Sequence, residues 1–224
     1  MRGEIMDWNF IVQYSDLYKE AALLTVRIAW IGILGSLILG LICGMIRYYK
    51  VPVLSQIAGI YIELSRNTPL LIQLFFLYFG LPKIGIVLQS ETCAIAGLIF
   101  LGGSYMAEAF RSGIEAVDRI QMESGLSLGL TRRQVFFYII FPQAAAVAVP
   151  GIGANAIFLI KETSVFSVVA LMDLMHVAKD LIGLYYKTDE ALFMLVVSYL
   201  IILLPVSIIL TFLERRLRYA GFGN

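Results

Sequence analysis

The sequence predicts an all-α protein of the membrane, a polytopic helical bundle of about five transmembrane helices. Three observations predict it. Hydrophobic residues make up 60% of the chain and charged residues 15%, whereas soluble domains run near half apolar and a quarter charged. Mean hydropathy is +0.86, more apolar surface than a soluble core absorbs. The apolar residues also gather in long runs, and with 224 residues there is room for about five or six helical crossings but not for an added soluble domain of ordinary size.

Runs that reach the roughly 20 residues needed to cross hydrocarbon lie at 21–46, 53–81, 92–110, 136–169 and 191–213. Residues 1–18 mix acids with Arg2 and hold no long apolar core, so the first span is expected to stay attached rather than be cleaved as a signal. Cys43 and Cys93 sit inside apolar runs and read as small buried residues. A formal charge of +1 sets up no field for nucleic acid, and no such partner is expected.

The distribution of charge carries more than its sum. Arg47 and Lys50 follow the first run, Arg111, Arg119, Arg132 and Arg133 the third, and Arg215, Arg216 and Arg218 the fifth. If the spans alternate, all of these share one side. The other side holds Lys83, Lys179 and Lys187, diluted by Asp173, Asp180, Asp189 and Glu190. Loops rich in Lys and Arg stay cytoplasmic, which places the N-terminus outside and the C-terminus inside. The expected organisation is an extracytoplasmic segment 1–18, a membrane domain 19–219 with a cytoplasmic loop 112–134, and a tail 220–224. Ser36, Gly40 and Gly44 repeat at a spacing that lets helices approach closely, either within the chain or at a dimer contact.

The most patterned polar segment is 115–142, EAVDRIQMESGLSLGLTRRQVFFYIIFP. Its apolar positions suggest short helices on either side of Gly129, whose missing side chain permits a sharp reversal. Here the chain resembles the permease subunits of bacterial ATP-binding-cassette importers, whose coupling loop reads Glu-Ala-Ala, three residues, Gly, nine residues, Ile, one residue, Leu-Pro. Glu123, Gly129, Ile139 and Pro142 stand at that spacing, with Ser124 and Gly125 for the alanines and Phe141 for the leucine.

Further segments resemble the polar amino acid branch of that family, the histidine, glutamine and arginine permeases. They are TVRIAW with the glycine-rich stretch up to Arg47, YIELSRNTPLLIQLFFLYFGLP over 61–82, SYMAEAFRSGIEAV from Ser104, and IKETSV from Ile160, where Glu162 and Val165 replace Asp and Leu. The resemblance implies a type I importer permease fold in a bacterial cell membrane. It also implies partners: a cytosolic ATPase dimer, a second permease subunit of the same or related sequence, and an extracytoplasmic binding protein that delivers an amino acid. Glu123, Gly129, Ile139 and Pro142 would form the ATPase-coupling element, while Arg132 and Arg133 serve either acidic groups of the ATPase or anchoring at the membrane face. No Gly-x-x-x-x-Gly-Lys-Ser/Thr loop occurs. The chain is therefore expected to be no enzyme and to hold no cofactor, ATP being bound by the partner.

Ionisable groups inside spans are costly and pair with one another or serve function. Glu63 with Arg66, and Glu108 with Arg111, share a helical face at three-residue spacing and are expected to form structural ion pairs. Lys161 and Glu162 are adjacent, so they point about 100° apart and satisfy each other poorly. Glu162 is the candidate for a solute ammonium or cationic side chain, beside Lys161, with Thr163, Ser164 and Asn155 offering hydrogen bonds; a structural ion pair with another span is the competing reading. His176 is expected in a solvated loop, and with no second histidine or cysteine near it a metal site is not expected. Two other function classes remain to be weighed: an intramembrane carboxylate protease built on Glu63, Glu108 or Glu162, and a channel, which needs no ATPase-docking loop.

Overall fold

The computed structural model describes residues 6–222, with side chains to Arg216. Residues 1–5 of the expected N-terminal segment, the Arg218 side chain and the end of the 220–224 tail lie outside the described residues. No strand occurs among the described residues. The helices run α1 Trp8–Tyr48, α2 Leu54–Arg66, α3 Leu70–Phe75, α4 Ser90–Glu115, α5 Arg119–Ser127, α6 Arg132–Val135, α7 Phe141–Glu162, α8 Leu174–Tyr185 and α9 Thr188–Phe222.

Among the described residues, four stretches are long and apolar enough to cross a membrane: Trp8–Tyr48, Ser90–Glu115, Arg132–Val169 and Thr188–Arg216. The expected second span, 53–81, takes a different form. Pro69 has no N–H to give the preceding turn and pushes Thr68 out of helical conformation. Helix α2 therefore stops at Arg66, and α3 starts again at Leu70 and runs on as a π-helical turn, Phe76–Gly80, and a 3₁₀ turn, Leu81–Ile84.

The chain divides into two compact units. The first takes the residues up to Gly32, Pro69–Leu98 and Leu159–Val206. Its core gathers Phe10, Tyr18 and Ala21 of α1 with Leu174, Val177 and Leu181 of α8 and Met194 of α9. This packing explains why the N-terminal segment, described from Met6, is helical from Trp8 and continuous with the first span. Tyr18 donates its hydroxyl proton to the Ala191 carbonyl at 2.8 Å, and the Asp7 N–H donates to Glu190 at 2.9 Å while Lys187 reaches the Asp7 carboxylate at 3.2 Å.

At the start of α8, Asp173 caps the helix: its Oδ1 accepts from the His176 N–H at 3.0 Å, and the Leu174 N–H donates to the Thr25 hydroxyl at 3.4 Å. His176 thus lies in the first turn of a helix, half-buried and 3.4 Å from Asp180, because the Asp173 cap starts α8 where a loop was expected. Asp173 is fully buried, and its Oδ2 has no hydrogen-bond partner among the described residues. Burial pushes its carboxyl up to about 6.

The second unit comprises Ile33–Thr68, Ile99–Phe158 and the residues from Ser207 on. Helices α1 and α4 cross here at glycine. A side-chain carbon on Gly40 would collide with the Met106 Cβ and stand 2.9 Å from the Ala107 backbone nitrogen, and one on Gly44 would stand 3.0 Å from the Ala107 carbonyl oxygen. The small-residue repeat is spent inside the chain, on backbone-to-backbone contact.

Two outcomes test this packing. Gly40→Ala should cost about 1–3 kcal/mol by overpacking and lower the apparent Tm in detergent, whereas Gly59→Ala, which meets no atom within 4 Å, should hold or raise it; equal midpoints would remove the close crossing. Asp173 tests the buried cap. Its carboxyl keeps a proton to about 6 when folded and releases it near 3.8 when unfolded, so the native state binds more protons between those values and stability falls as pH rises across that window. Asp173→Asn keeps a good cap and should flatten that slope; a variant with the wild-type slope assigns it to another group.

Candidate functional site

The polar segment after α4 is a tightly built pair of turns within the second unit. Asp118 caps α5 by accepting the Ile120 N–H at 3.1 Å, and α5 ends at Ser127. Gly129 then turns the chain with φ +85°, a left-handed conformation that costs an L-residue roughly 1–2 kcal/mol and glycine nothing. Thr131 begins α6 with a capping box, its hydroxyl accepting from the Gln134 N–H while the Gln134 side chain accepts from the Thr131 N–H.

Gly125 lets α5 lie flat against Val135 and Ile139. A side-chain carbon at this glycine would stand 2.8 Å from Ile139 Cδ1 and 2.9 Å from Val135 Cγ2. Ile139 is therefore the packing partner of α5 rather than an outward contact. Pro142 stands in the first turn of α7 and has no N–H. The preceding π-turn, Phe136–Ile140, in which the Phe141 N–H reaches the Phe136 carbonyl, carries the chain past it, and Gln143 donates to the Ile139 carbonyl at 2.9 Å. Exposed on the outside of this element are Ile120, Glu123, Leu128, Arg132 and Arg133.

The ends of α1 and α4 are tied beside it. Glu108 accepts from Arg111 at 2.7 Å and pairs with Arg47 as well, and Arg111 reaches on to Glu115. The expected Glu108–Arg111 pair is thus the middle of a four-residue chain. Glu63 and Arg66 do not pair with each other. Asn67 donates to Glu63 at 3.2 Å, while the Arg66 guanidinium lies 5.1 Å from the centroid of the Tyr105 ring. The helix ends at Arg66, and a planar cation on an aromatic face gains about as much as an exposed ion pair.

Asn155, Lys161 and Glu162 lie on α7, and Thr163 and Ser164 in the turn that follows it. Asn155 belongs to the second unit and donates to the Tyr105 carbonyl at 3.2 Å. Lys161, Glu162, Thr163 and Ser164 belong to the first, where α7 gives way to a 3₁₀ turn over Thr163–Val169 against which α3 packs. Thr163 is buried, donates to the Ile160 carbonyl at 2.7 Å and lies 3.3 Å from the Tyr199 hydroxyl. Lys161 is exposed, Glu162 and Ser164 are half-buried, and neither charge enters an ion pair among the described residues. Tyr105 and Tyr199 were missed in the sequence. Tyr105 stood inside a matched segment but carried no charge to single it out, and Tyr199 lies in a featureless apolar run.

Residues 36–219 match the family described as binding-protein-dependent transport system inner membrane component. The chain is 40% identical over 179 residues to the probable glutamine ABC transporter permease protein GlnP of Bacillus subtilis strain 168, covering 78% of this chain and 82% of that one. It is 33% identical over 214 residues to the glutamine transport system permease protein GlnP of Escherichia coli strain K12, covering 95% and 98%. Among solved structures, one titled as an amino acid ABC transporter with histidines matches with a TM-score of 0.87 at 30% identity, covering 95% of this chain and 100% of that one. An inward-facing MetNI methionine ABC transporter, at 0.73 and 16% identity, shares the fold. None of these relatives is a protease or a channel, and neither alternative gains support from them. With its capped loop, its apolar crossings and these relatives, the chain belongs to the binding-protein-dependent transport system inner membrane component family, a multi-pass permease subunit with the type I ABC importer fold.

Proposed function

We propose that the chain is the permease of an ATP-driven amino acid importer, working with a separate ATPase dimer, a second permease and an extracytoplasmic binding protein. The observation that carries this reading is the 118–142 element. It is braced internally by two caps and a glycine contact, yet it exposes Ile120 at 60% and Leu128 at 82% beside Glu123, Arg132 and Arg133. Apolar side chains held out on a rigid polar projection suit a docking surface better than a solvated turn. The basic residues around it support a cytoplasmic loop, an extracytoplasmic N-terminus and a cytoplasmic C-terminus.

Closure of the ATPase would then move the loop as a body together with the helices it joins, α4 and α7, and exchange access between the two sides. The solute takes part only by binding the two states differently. Glu162 is the group we assign to the solute ammonium or cationic side chain. It is half-buried and, among the described residues, outside any ion pair, and Thr163, already committed to Ile160 and Tyr199, shapes the turn that presents it.

Three measurements test the reading. In the reconstituted complex, one amino acid or a small group of them should raise ATP hydrolysis; a flat response across an amino acid panel overturns import of that class. Glu162→Gln should lower apparent affinity or uptake rate at least about tenfold, the scale of a charge-assisted contact; unchanged uptake at matched surface expression removes the site. Gly129→Val, forced to φ +85°, should release the ATPase subunit on purification while the chain remains in the membrane, and full retention would detach the turn from docking.

A further inference from the structure

The second unit contains an open-sided cavity of about 390 Å³ at the ends of α1 and α4 nearest the loop, lined on its other side by the first half of α7. It is bounded by Leu41 and Met45, by Phe110, by Phe137 of the π-turn, and by Ala145 and Ala148, and every other lining residue is also apolar. The alanines leave the space; the long side chains wall it. Its size falls in the range of sites that hold small molecules, about 300–1,000 Å³.

We propose that this cavity holds an acyl chain of an anionic phospholipid whose phosphate is met by Arg133. Three features on the molecule converge on that occupant. The lining offers no hydrogen-bonding side chain to register a polypeptide, and a specific protein interface carries about ten such bonds. The cavity lies in the portion of α1, α4 and α7 read as membrane-spanning, where hydrocarbon chains are the solvent. Finally, the Arg133 guanidinium stands 6.0 Å from the ring centroid of Phe137, itself a lining residue. Arg132 and Arg133 are both exposed, and neither enters an ion pair among the described residues, in contrast to Arg47 and Arg111, which the Glu108 cluster neutralises. A guanidinium matches phosphate with paired donors, and basic pockets between transmembrane helices are places where anionic head groups bind.

The test is native mass spectrometry of the intact complex extracted from vesicles holding phosphatidylglycerol and phosphatidylcholine in equal amounts. Wild type should retain phosphatidylglycerol in preference by about fivefold, the scale of one basic residue at a membrane surface. Arg133→Gln should abolish the preference and Arg133→Lys, which keeps the charge but not the paired donors, should keep only part of it, while Ala145→Leu, which fills the cavity, should lower retention of both lipids. Equal retention of the two lipids by wild type overturns the proposal, as does undiminished lipid in Ala145→Leu. If Ala145→Leu instead releases the second permease copy, the cavity is a contact between chains and the lipid assignment fails. If Arg133→Gln loses the ATPase subunit and keeps the lipid preference, the arginine belongs to ATPase docking and the head-group assignment fails.

Discussion

Hydrocarbon offers no hydrogen bonds, so each backbone N–H and C=O in the crossing segments must find its partner within the protein. A plain α-helix meets that demand automatically, and the departures from one show where the sequence spends polar groups. Three of the departures among the described residues lie at Asn67–Pro69, at the π-turn Phe136–Ile140 and at the 3₁₀ turn Thr163–Val169. In each, a side chain or a shifted bond repairs the ladder: Asn67 donates to the Glu63 carbonyl, the Phe141 N–H reaches back to Phe136, and Thr163 donates to the Ile160 carbonyl. Thr163, which looks like a ligand in the sequence, is thus first in service to the backbone. Once it is subtracted, Lys161 and Glu162 are what the third departure leaves over.

The same subtraction separates the charges. Glu108 was expected to pair with Arg111 alone, yet it gathers Arg47 as well, and Arg111 gathers Glu115. Its neutralised cluster joins two helix ends, and breaking one member would strand the others in a poorly solvated place. Glu63 and Arg66 share a face but go to different partners, because the helix ends between Arg66 and Pro69 and an aromatic ring lies within the arginine's reach. Spacing shows which residues share a helical face; what else that face meets is decided by tertiary packing.

Legibility follows from that distinction. The all-α membrane class, the long crossings and the turn at Gly129 are local properties, readable from hydropathy and from a residue that alone tolerates φ +85°. The break at Pro69 follows from proline's missing N–H, but its consequence, two helices in place of one span, depends on α3 having its own surface to pack against. Asp173 was legible only as a loop charge. Its role as a buried cap needs Thr25, far away in the chain, beside the first turn of α8. The hydrogen bond that Asn155 gives the Tyr105 carbonyl likewise needs a partner far away in the chain.

The two glycines of the loop solve different problems, and the element works only if both are solved. Gly129 supplies a backbone conformation, so its cost on substitution is strain. Gly125 supplies proximity, because the surfaces of Val135 and Ile139 occupy the space a side chain would need. With the reversal alone, α5 would be a flag on a flexible stalk, and a load applied to it would be absorbed by rotation about the stalk. With the close approach as well, α5 is seated on the segment that becomes α7, and force on its exposed face passes into a crossing helix through packed side chains, which have low compressibility. The motif spacing from Glu123 to Pro142 therefore encodes stiffness: it fixes where the chain turns, where it touches itself again, and where the long helix begins.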